Sequence, residues 1–486
     1  MSMESNHKQR ICEYINAHSG IFTDVSAQIW ENPELSLQEY RAAALYCRVL
    51  EEHGFAVTRN LGGMETAFLG QYGSGRPVIG FLGEFDALAG LSQERSCPEP
   101  APLCEGGPGH GCGHNMLGAG SLAAAFAVKD YLERSGHEGT VIFFGCPGEE
   151  GGASKAFLAR DGYWKQLDAA LTWHPSDVNE VVSGTNNSSI QVLYTFHGVS
   201  AHAANDPFNG RSALDAVELM NTGVQYLREH MTGDCRVHYA ITDAGGISPN
   251  VVQAKASVLY MVRANRVRDS VKLLARVDKI AQGAALMTET TVVRSFIDGT
   301  AELVPNYILE DVLYRNFSDI VKETGLPAYT KEERVLAEQI KQLCPEGESA
   351  PGIGAMFDAQ VQRYSREESQ SGTKPLNDYL IPPVHTEGFV AGSTDVGDVS
   401  WQTPTAQIHV CAFVSGAPGH SWQNVSTGGS GIGDKALLLA GKVLAAAAVD
   451  LYEDPTLLRR AREEFEGRTA DGYVCPIEKD AVPTVI

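Results

Sequence analysis

The sequence predicts an α/β protein in which a discontinuous larger domain, residues 1–187 and 303–486, carries a smaller α+β domain inserted at residues 188–302. Three observations predict it. Short apolar runs alternate with helical periodicity, the pattern of a largely parallel sheet flanked by helices. Each run leads into a polar cluster, and open α/β sheets place their ligands beyond strand carboxyl ends. From about Ser188 to Thr300 the order becomes β-α-β-β-α-β, that of a ferredoxin-like unit. A chain of 486 residues also exceeds one compact core.

Ser36-Leu37-Gln38-Glu39 reads as a capping box opening a helix to about Glu52, with Gly54 just past its end. Buried strands are expected at residues 77–82, running into Glu84-Phe85-Asp86, and at 140–144, running into Glu149-Glu150. Two more, 169–173 and 407–414, lead to His174 and towards His420, and the Ala- and Leu-rich residues 116–132 form a helix. In the smaller domain residues 190–197, 236–242, 256–263 and 291–296 read as strands, and 212–230 and 267–287 as helices. The larger domain resumes near Leu303, and the polar, Gly/Pro-rich residues 344–394 are expected to be irregular surface structure.

Composition narrows the function classes. An apolar fraction of 43% with 20% charged residues describes an ordinary globular protein, and a net charge of −22 argues against nucleic acid or an anionic membrane as partner. Residues 1–10 are polar, so no secretory signal is expected. The apolar residues 436–449 are interrupted by Lys442 and fall short of the about 20 needed to span a bilayer, so they read as a buried helix. Ten cysteines without framework spacing suggest reduced thiols in a cytoplasmic protein.

The chemistry concentrates in Gly109-His110-Gly111-Cys112-Gly113-His114-Asn115 and Pro147-Gly148-Glu149-Glu150, with His174 and the distant His420. Thiolate, imidazole and carboxylate together suit zinc, manganese or cobalt better than magnesium. One of the twin glutamates suffices to hold metal, leaving the other for proton transfer, as in a metal-dependent hydrolase. Each residue has a blander reading: a buried thiol for a cysteine, a helix cap for His114, a core imidazole for His174. His409 and His385 compete with His420. A serine hydrolase would need Gly-x-Ser-x-Gly, which does not occur, and Cys112 with His114 as nucleophile and base leaves the twin glutamates unexplained. Gly429–Lys435 lacks the Gly-Lys-Ser/Thr of a phosphate loop. A non-enzymatic alternative has Cys97, Cys104, Cys112 and His114 holding one structural zinc in a metal-stabilised partner subunit.

Further motifs are Asn32-Pro33-Glu34-Leu35, Glu84-Phe85-Asp86-Ala87-Leu88, Gly148-Glu149-Glu150-Gly151, Trp173-His174-Pro175 and Ser200-Ala201-His202-Ala203-Ala204. Gly245-Gly246-Ile247-Ser248-Pro249-Asn250-Val251-Val252 and Ser393-Thr394-Asp395-Val396-Gly397-Asp398 extend the set across the chain. Together they resemble the M20 metallopeptidase family, in its branch of aminoacylase-like and auxin-conjugate amidohydrolases. The resemblance implies the two-domain M20-like architecture, the insert serving as lid and dimerisation domain. It implies two divalent metal ions per chain, zinc or manganese, bridged by Cys112. Glu150 and His420 would complete one and His114 and His174 the other, with Glu149 as general base. Asp86 takes an orienting role, Glu84 stays open, and Asn115 replaces the Asp of auxin-conjugate hydrolases.

In the insert, His202 would reach a neighbouring protomer's site and stabilise an oxyanion. Asn250, Arg263 and Arg211 would bind a substrate carboxylate, while Arg266 reads as a surface charge. The implied activity is cleavage of the amide bond of an N-acyl amino acid, foremost p-aminobenzoyl-glutamate to p-aminobenzoate and glutamate. Indoleacetyl-amino acids and small dipeptides are the alternatives. The assembly implied is a homodimer, or a heterodimer with a homologous A-type subunit.

Overall fold

The computed structural model describes residues 3–485. Its strands are β1 Ala56–Arg59, β2 Phe68–Ser74, β3 Val78–Glu84, β4 Gly139–Cys146, β5 Ala169–Ser176, β6 Glu180–Val182, β7 Ser188–His197, β8 Arg236–Asp243, β9 Lys255–Ala264, β10 Thr291–Thr300 and β11 Thr405–Cys411. They form two sheets, ordered β1-β2-β4-β3-β5-β11-β6 and β10-β7-β9-β8.

The centre of the larger sheet is parallel: β3 pairs with β4 and β5, and β5 with β11. Its edges are antiparallel, β2 on β4, β1 on β2 and β6 on β11. Central strands covered on both faces need continuous apolar runs, and β4 is buried along its whole length. Helices His114–Ser135 and Gly431–Glu453 pack on each other and on this sheet. Phe81, Phe143, Leu171 and Trp173 are fully buried, each contributing roughly 1.5–3 kcal/mol. Gly120 admits the Trp173 indole, since a Cβ there would come within 2.7 Å of it. Residues 436–449 lie inside the buried helix Gly431–Glu453, and no described helix is long and apolar enough to cross a membrane.

The smaller sheet is antiparallel. Helices Ala213–Arg228 and Val267–Thr288 pack on it, and a separate apolar cluster including Val192, Val217, Val258 and Val277 fills the gap between them. In β9 burial alternates along the strand, so one set of side chains faces the helices and the other leaves them.

Two expectations need correction. The early helix starts at Tyr40, not after Ser36. Ser36 Oγ donates to Asp86 Oδ2 at 2.8 Å, and the buried Glu39 carboxylate accepts the N–H groups of Leu37 and Gly148, so both members of the supposed box are used elsewhere. Residues 344–394 contain helices Ile353–Phe357 and Ala359–Glu368, and residues 390–394 line a cavity that Glu84, Glu149 and His174 also line.

Candidate metal centre

The parallel strands bring their carboxyl ends to one rim. β3 ends at Glu84, with Asp86 just beyond, and β4 leads into the turn that presents Glu149 and Glu150. His174 lies near the end of β5, and His420 follows β11. Cys112 and His114 stand at the start of helix His114–Ser135. Gly113 between them has φ 80°, and a Cβ there would come within 2.9 Å of Phe413 and 3.0 Å of Pro175, so only glycine serves. Gly111 similarly lets the His420 backbone approach, a Cβ lying 3.3 Å from its Cα.

The donor atoms of Cys112, His114 and His174 lie within 4.8 Å of one another, and so do those of Cys112, Glu150 and His420. Cys112 belongs to both groups. Its Sγ is 3.3 Å from His174 Nε2. His174 Nδ1 lies 2.7 Å from the Pro175 carbonyl; a carbonyl only accepts, so Nδ1 carries the proton and Nε2 keeps its lone pair. Burial and the neighbouring His114 push the His174 pKa down to about 4, keeping the ring neutral. His114 Nδ1 faces Asp86 Oδ1 at 2.8 Å, both fully buried. Burial pushes Asp86 up, but His114 and the Glu150 N–H outweigh it and hold the carboxyl down to about 2. The Nδ1 proton therefore sits against a carboxylate, freeing His114 Nε2. His420 Nε2 is 3.5 Å from Glu150 Oε1, and His420 itself has φ 52°.

Three buried atoms here, Glu84 Oε2, His114 Nε2 and Glu150 Oε1, have no hydrogen-bond partner among the described residues, although Glu84 Oε2 faces His114 Nε2 at 3.2 Å. Each such orphan costs roughly 1–3 kcal/mol, so their convergence with a thiol fits a cation-binding site. The turn holding the twin glutamates is pinned by three carboxylates. Glu39 accepts from Gly148 N at 2.8 Å, Asp86 from Glu150 N at 2.9 Å and Asp298 from Gly152 N at 3.2 Å. Glu149 belongs to neither Cys112 group but joins Glu84 and His114 in a third candidate group, and burial, Glu84 and Glu150 raise its pKa well above the carboxylate range. Burial likewise raises the Cys112 thiol.

Lys155 was not anticipated. Its Nζ lies 2.8 Å from Glu84 Oε1 and 2.6 Å from Asp395 Oδ1, and Lys155 and Asp395 are fully buried. Burial pushes the Glu84 carboxyl up, yet Lys155 and His114 hold it below its usual range. A lone lysine in an apolar helix reads as a surface charge, and only Asp395, within the Ser-Thr-Asp motif, hinted at a buried partner.

A cavity of about 370 Å³ opens over these groups, lined among others by Glu84, Cys112, Glu149, His174, His409 and Gly392. His202, Asn250, Arg211 and Arg263 do not line it. His202 is exposed, its Nδ1 accepting the Ala204 and Asn205 N–H groups at 3.2 and 3.1 Å. Asn250 is exposed too, and Arg211 pairs with Glu289 at 3.0 Å. Of the rival histidines, His385 pairs with Asp311, while His409 lines the cavity with its Nδ1 3.0 Å from Glu180. Asn115 donates to Ser26 Oγ and the Gly428 carbonyl and leaves His114 untouched. Among the described residues Cys97 and Cys104 join no candidate ligand group.

The fold and this cluster define an α/β metallohydrolase architecture. The sequence matches the family described as Peptidase family M20/M25/M40 over residues 80–424. It is 44% identical to the B-type subunit of p-aminobenzoyl-glutamate hydrolase from Escherichia coli (strain K12), over 98% of each chain. It is 26% identical to Xaa-Arg dipeptidase of Homo sapiens, over 94% of this chain and 92% of that one. Among solved structures, the aminobenzoyl-glutamate utilization protein from Klebsiella pneumoniae superposes with a TM-score of 0.59 at 15% identity, covering 90% of this chain and 97% of that one. A dinuclear metal binding peptidase of the M20 family from Bacillus subtilis gives 0.52 at 16% identity, covering 90% and 99%. Both likenesses show the fold. The chain belongs to peptidase family M20/M25/M40, and it is a hydrolase acting on amide bonds.

Proposed function

We propose that this chain hydrolyses the amide bond of an N-acyl amino acid, p-aminobenzoyl-glutamate foremost, with two divalent ions, zinc or manganese. The observation that carries the reading is the pair of donor groups sharing Cys112, with Glu149 beside them and outside both. The 44% identity to one component of a p-aminobenzoyl-glutamate hydrolase supports the substrate.

In this reading Cys112, Glu150 and His420 hold one ion, and Cys112, His114 and His174 the other. Bound there, the ions would polarise the amide carbonyl and lower the pKa of water. Cys112 gives up its thiol proton when metal binds, which couples loading to pH. Asp86 fixes the His114 tautomer, and Pro175 fixes that of His174. Glu149 takes a proton from the attacking water and returns it to the leaving nitrogen; burial, Glu84 and Glu150 raise its proton affinity, which suits the second half of that task, and the charge of the bound ions would offset this for the first.

Residues 188–302 act as inserted lid and dimerisation domain. His202, exposed and outside its own chain's cavity, stabilises the oxyanion in a neighbour's site, and Asn250, Arg263 and Arg211 receive the substrate's α-carboxylate. The assembly is a homodimer or pairs with an A-type homologue. In support, the chain is 29% identical to the A-type subunit of p-aminobenzoyl-glutamate hydrolase from Escherichia coli (strain K12), over 43% of this chain and 50% of that one. All ten cysteines are free, which suits the cytoplasm.

The metal-reconstituted chain is offered p-aminobenzoyl-glutamate, indoleacetyl-aspartate and small dipeptides. Fastest release of p-aminobenzoate, lost on chelation, with two ions per chain by metal analysis, is the expected result. One tightly held ion without amidase activity overturns the reading and favours a metal-stabilised partner subunit.

A further inference from the structure

On the face of the smaller sheet away from its helices, Arg236 of β8 stands directly opposite Arg263 of β9, and His238 opposite Met261. Like charges facing across a ladder destabilise it. Among the described residues neither guanidinium meets a carboxylate. Arg236 donates to the carbonyls of Gly233 and Cys235 at 2.6 and 2.7 Å, and Arg263 to Met261 Sδ at 3.1 Å. Burial, then Arg263, Arg228 and Arg236, push the His238 pKa down, so the ring already feels the excess of positive charge.

These three side chains line one cavity of about 570 Å³, with Asp234 as its lining carboxylate. The opposing wall is Phe389, Ala391 and Gly392, and Ala391 and Gly392 also line the cavity over the metal donors. In a protein of net charge −22, a paired-arginine surface next to the reaction cavity is placed against the general field. An anion reaching from the metal donors across Ala391-Gly392 would relieve the repulsion, and the planar guanidinium forks match a carboxylate.

We propose that Arg236 and His238 form a subsite for a second substrate carboxylate, the side-chain carboxylate of an acyl-glutamate or acyl-aspartate. It is separate from the α-carboxylate assigned to Asn250, Arg263 and Arg211, and it rests on the amidase reading above. The subsite selects acidic amino acids.

The test compares p-aminobenzoyl-glutamate with p-aminobenzoyl-glutamine, which keeps the α-carboxylate and loses the second charge. The unaltered chain favours the glutamate compound by roughly 10–100-fold in kcat/KM, the worth of hydrogen bonds to a charged group. Arg236→Ala narrows that gap, chiefly through KM, and Arg236→Lys keeps part of it. Removing Arg236 also removes the like-charge opposition, so the ligand-free variant melts no lower than the parent, which separates a binding role from a structural one.

Equal turnover of both compounds, or Arg236→Ala slowing both alike, overturns the subsite and leaves the amidase reading standing. Absence of turnover on p-aminobenzoyl-glutamate sinks the amidase reading by itself. The subsite is then judged by calorimetric titration of the metal-loaded chain with glutarate, which needs no hydrolysis. Binding weakened by Arg236→Ala supports it, and binding unchanged or absent in the parent overturns it.

Discussion

At the rim of the larger sheet the candidate groups are held in place by the chain itself, whereas on the smaller sheet they are not. His114 is fixed by Asp86, His174 by Pro175, and the Glu149-Glu150 turn by Glu39, Asp86 and Asp298. His202 and Asn250 stand exposed, and Arg211 is tied to the exposed Glu289. The difference follows from topology. Neighbouring parallel strands end side by side, so several chain segments converge on one point and bury one another's polar groups. The loops of a four-stranded antiparallel sheet extend into solvent, and their side chains need a second surface before they can be fixed. In the proposed function, proton transfer and metal binding belong to the first region, and completion of the site to the second.

The largest expected effect tests the first half of that division. Glu149→Gln removes the carboxylate outside both Cys112 groups, so activity should fall by roughly 10²–10⁴-fold while two metals per chain are retained. Near-parental turnover would falsify the assignment of Glu149 as base.

Next in size is the contrast in charge burial. Lys155→Met leaves Glu84 and Asp395 buried without their cation and should cost roughly 3–5 kcal/mol, read by denaturant titration. Arg211→Ala, which breaks an exposed pair, should cost no more than about 1 kcal/mol. Comparable losses in the two variants would erase the distinction between the regions.

The same contrast explains what the sequence could show. Strand ends were readable because an apolar run followed by Glu, Asp or His has few other meanings, which marks Glu150 and His174, while Cys112 and His114 are marked by the Gly-His-Gly-Cys-Gly-His run ahead of a helix. Asp86 aside, the supports were not readable. Ser36 and Glu39 have the spacing of a capping box, yet their side chains turn to Asp86 and to the Gly148 N–H. Local propensity lost there to polar groups whose burial demanded partners. Lys155 gave no local signal, because its partners lie at the end of β3 and at Asp395, far apart in the chain. The role of residues 390–394 was hidden for a related reason: Gly/Pro-rich composition marks irregular backbone but not which surface that backbone covers.

The division between chains can be tested by mixing. If His202 serves a neighbour's site, a His202→Ala chain and a Glu149→Gln chain, each nearly inactive alone, should together recover part of the parental rate, because one site in each mixed dimer has both groups. Exchange of protomers is followed with a fluorescent label on one chain. Exchange without recovery assigns His202 to its own chain and breaks the comparison at its second half.

The smallest effect asks whether the larger core's hold on charge extends away from the metal centre. Glu310, buried at the start of helix Tyr307–Thr324, has its pKa pushed by burial from 4.5 up to about 8. The folded chain then holds a proton there that the unfolded chain has released. Stability from this group is complete below about pH 4.5 and is lost as pH rises towards 8. The slope approaches roughly 1.4 kcal/mol per pH unit, the value for one whole proton. Glu310→Gln keeps the shape without the titration, so its melting temperature should lose less than the parent's between pH 5 and about 8. Asp243 on the smaller sheet behaves oppositely: the Gly245 N–H and Lys255 lower its pKa, so its contribution exists above the unfolded value and fades on acidification. Because Asp243 is only partly buried, Asp243→Asn should alter only the acid limb, and slightly. Parallel melting curves for Glu310→Gln and the parent across that range would mean that water or a partner group relieves Glu310, and that strong burial of charge is confined to the rim where the metal donors meet.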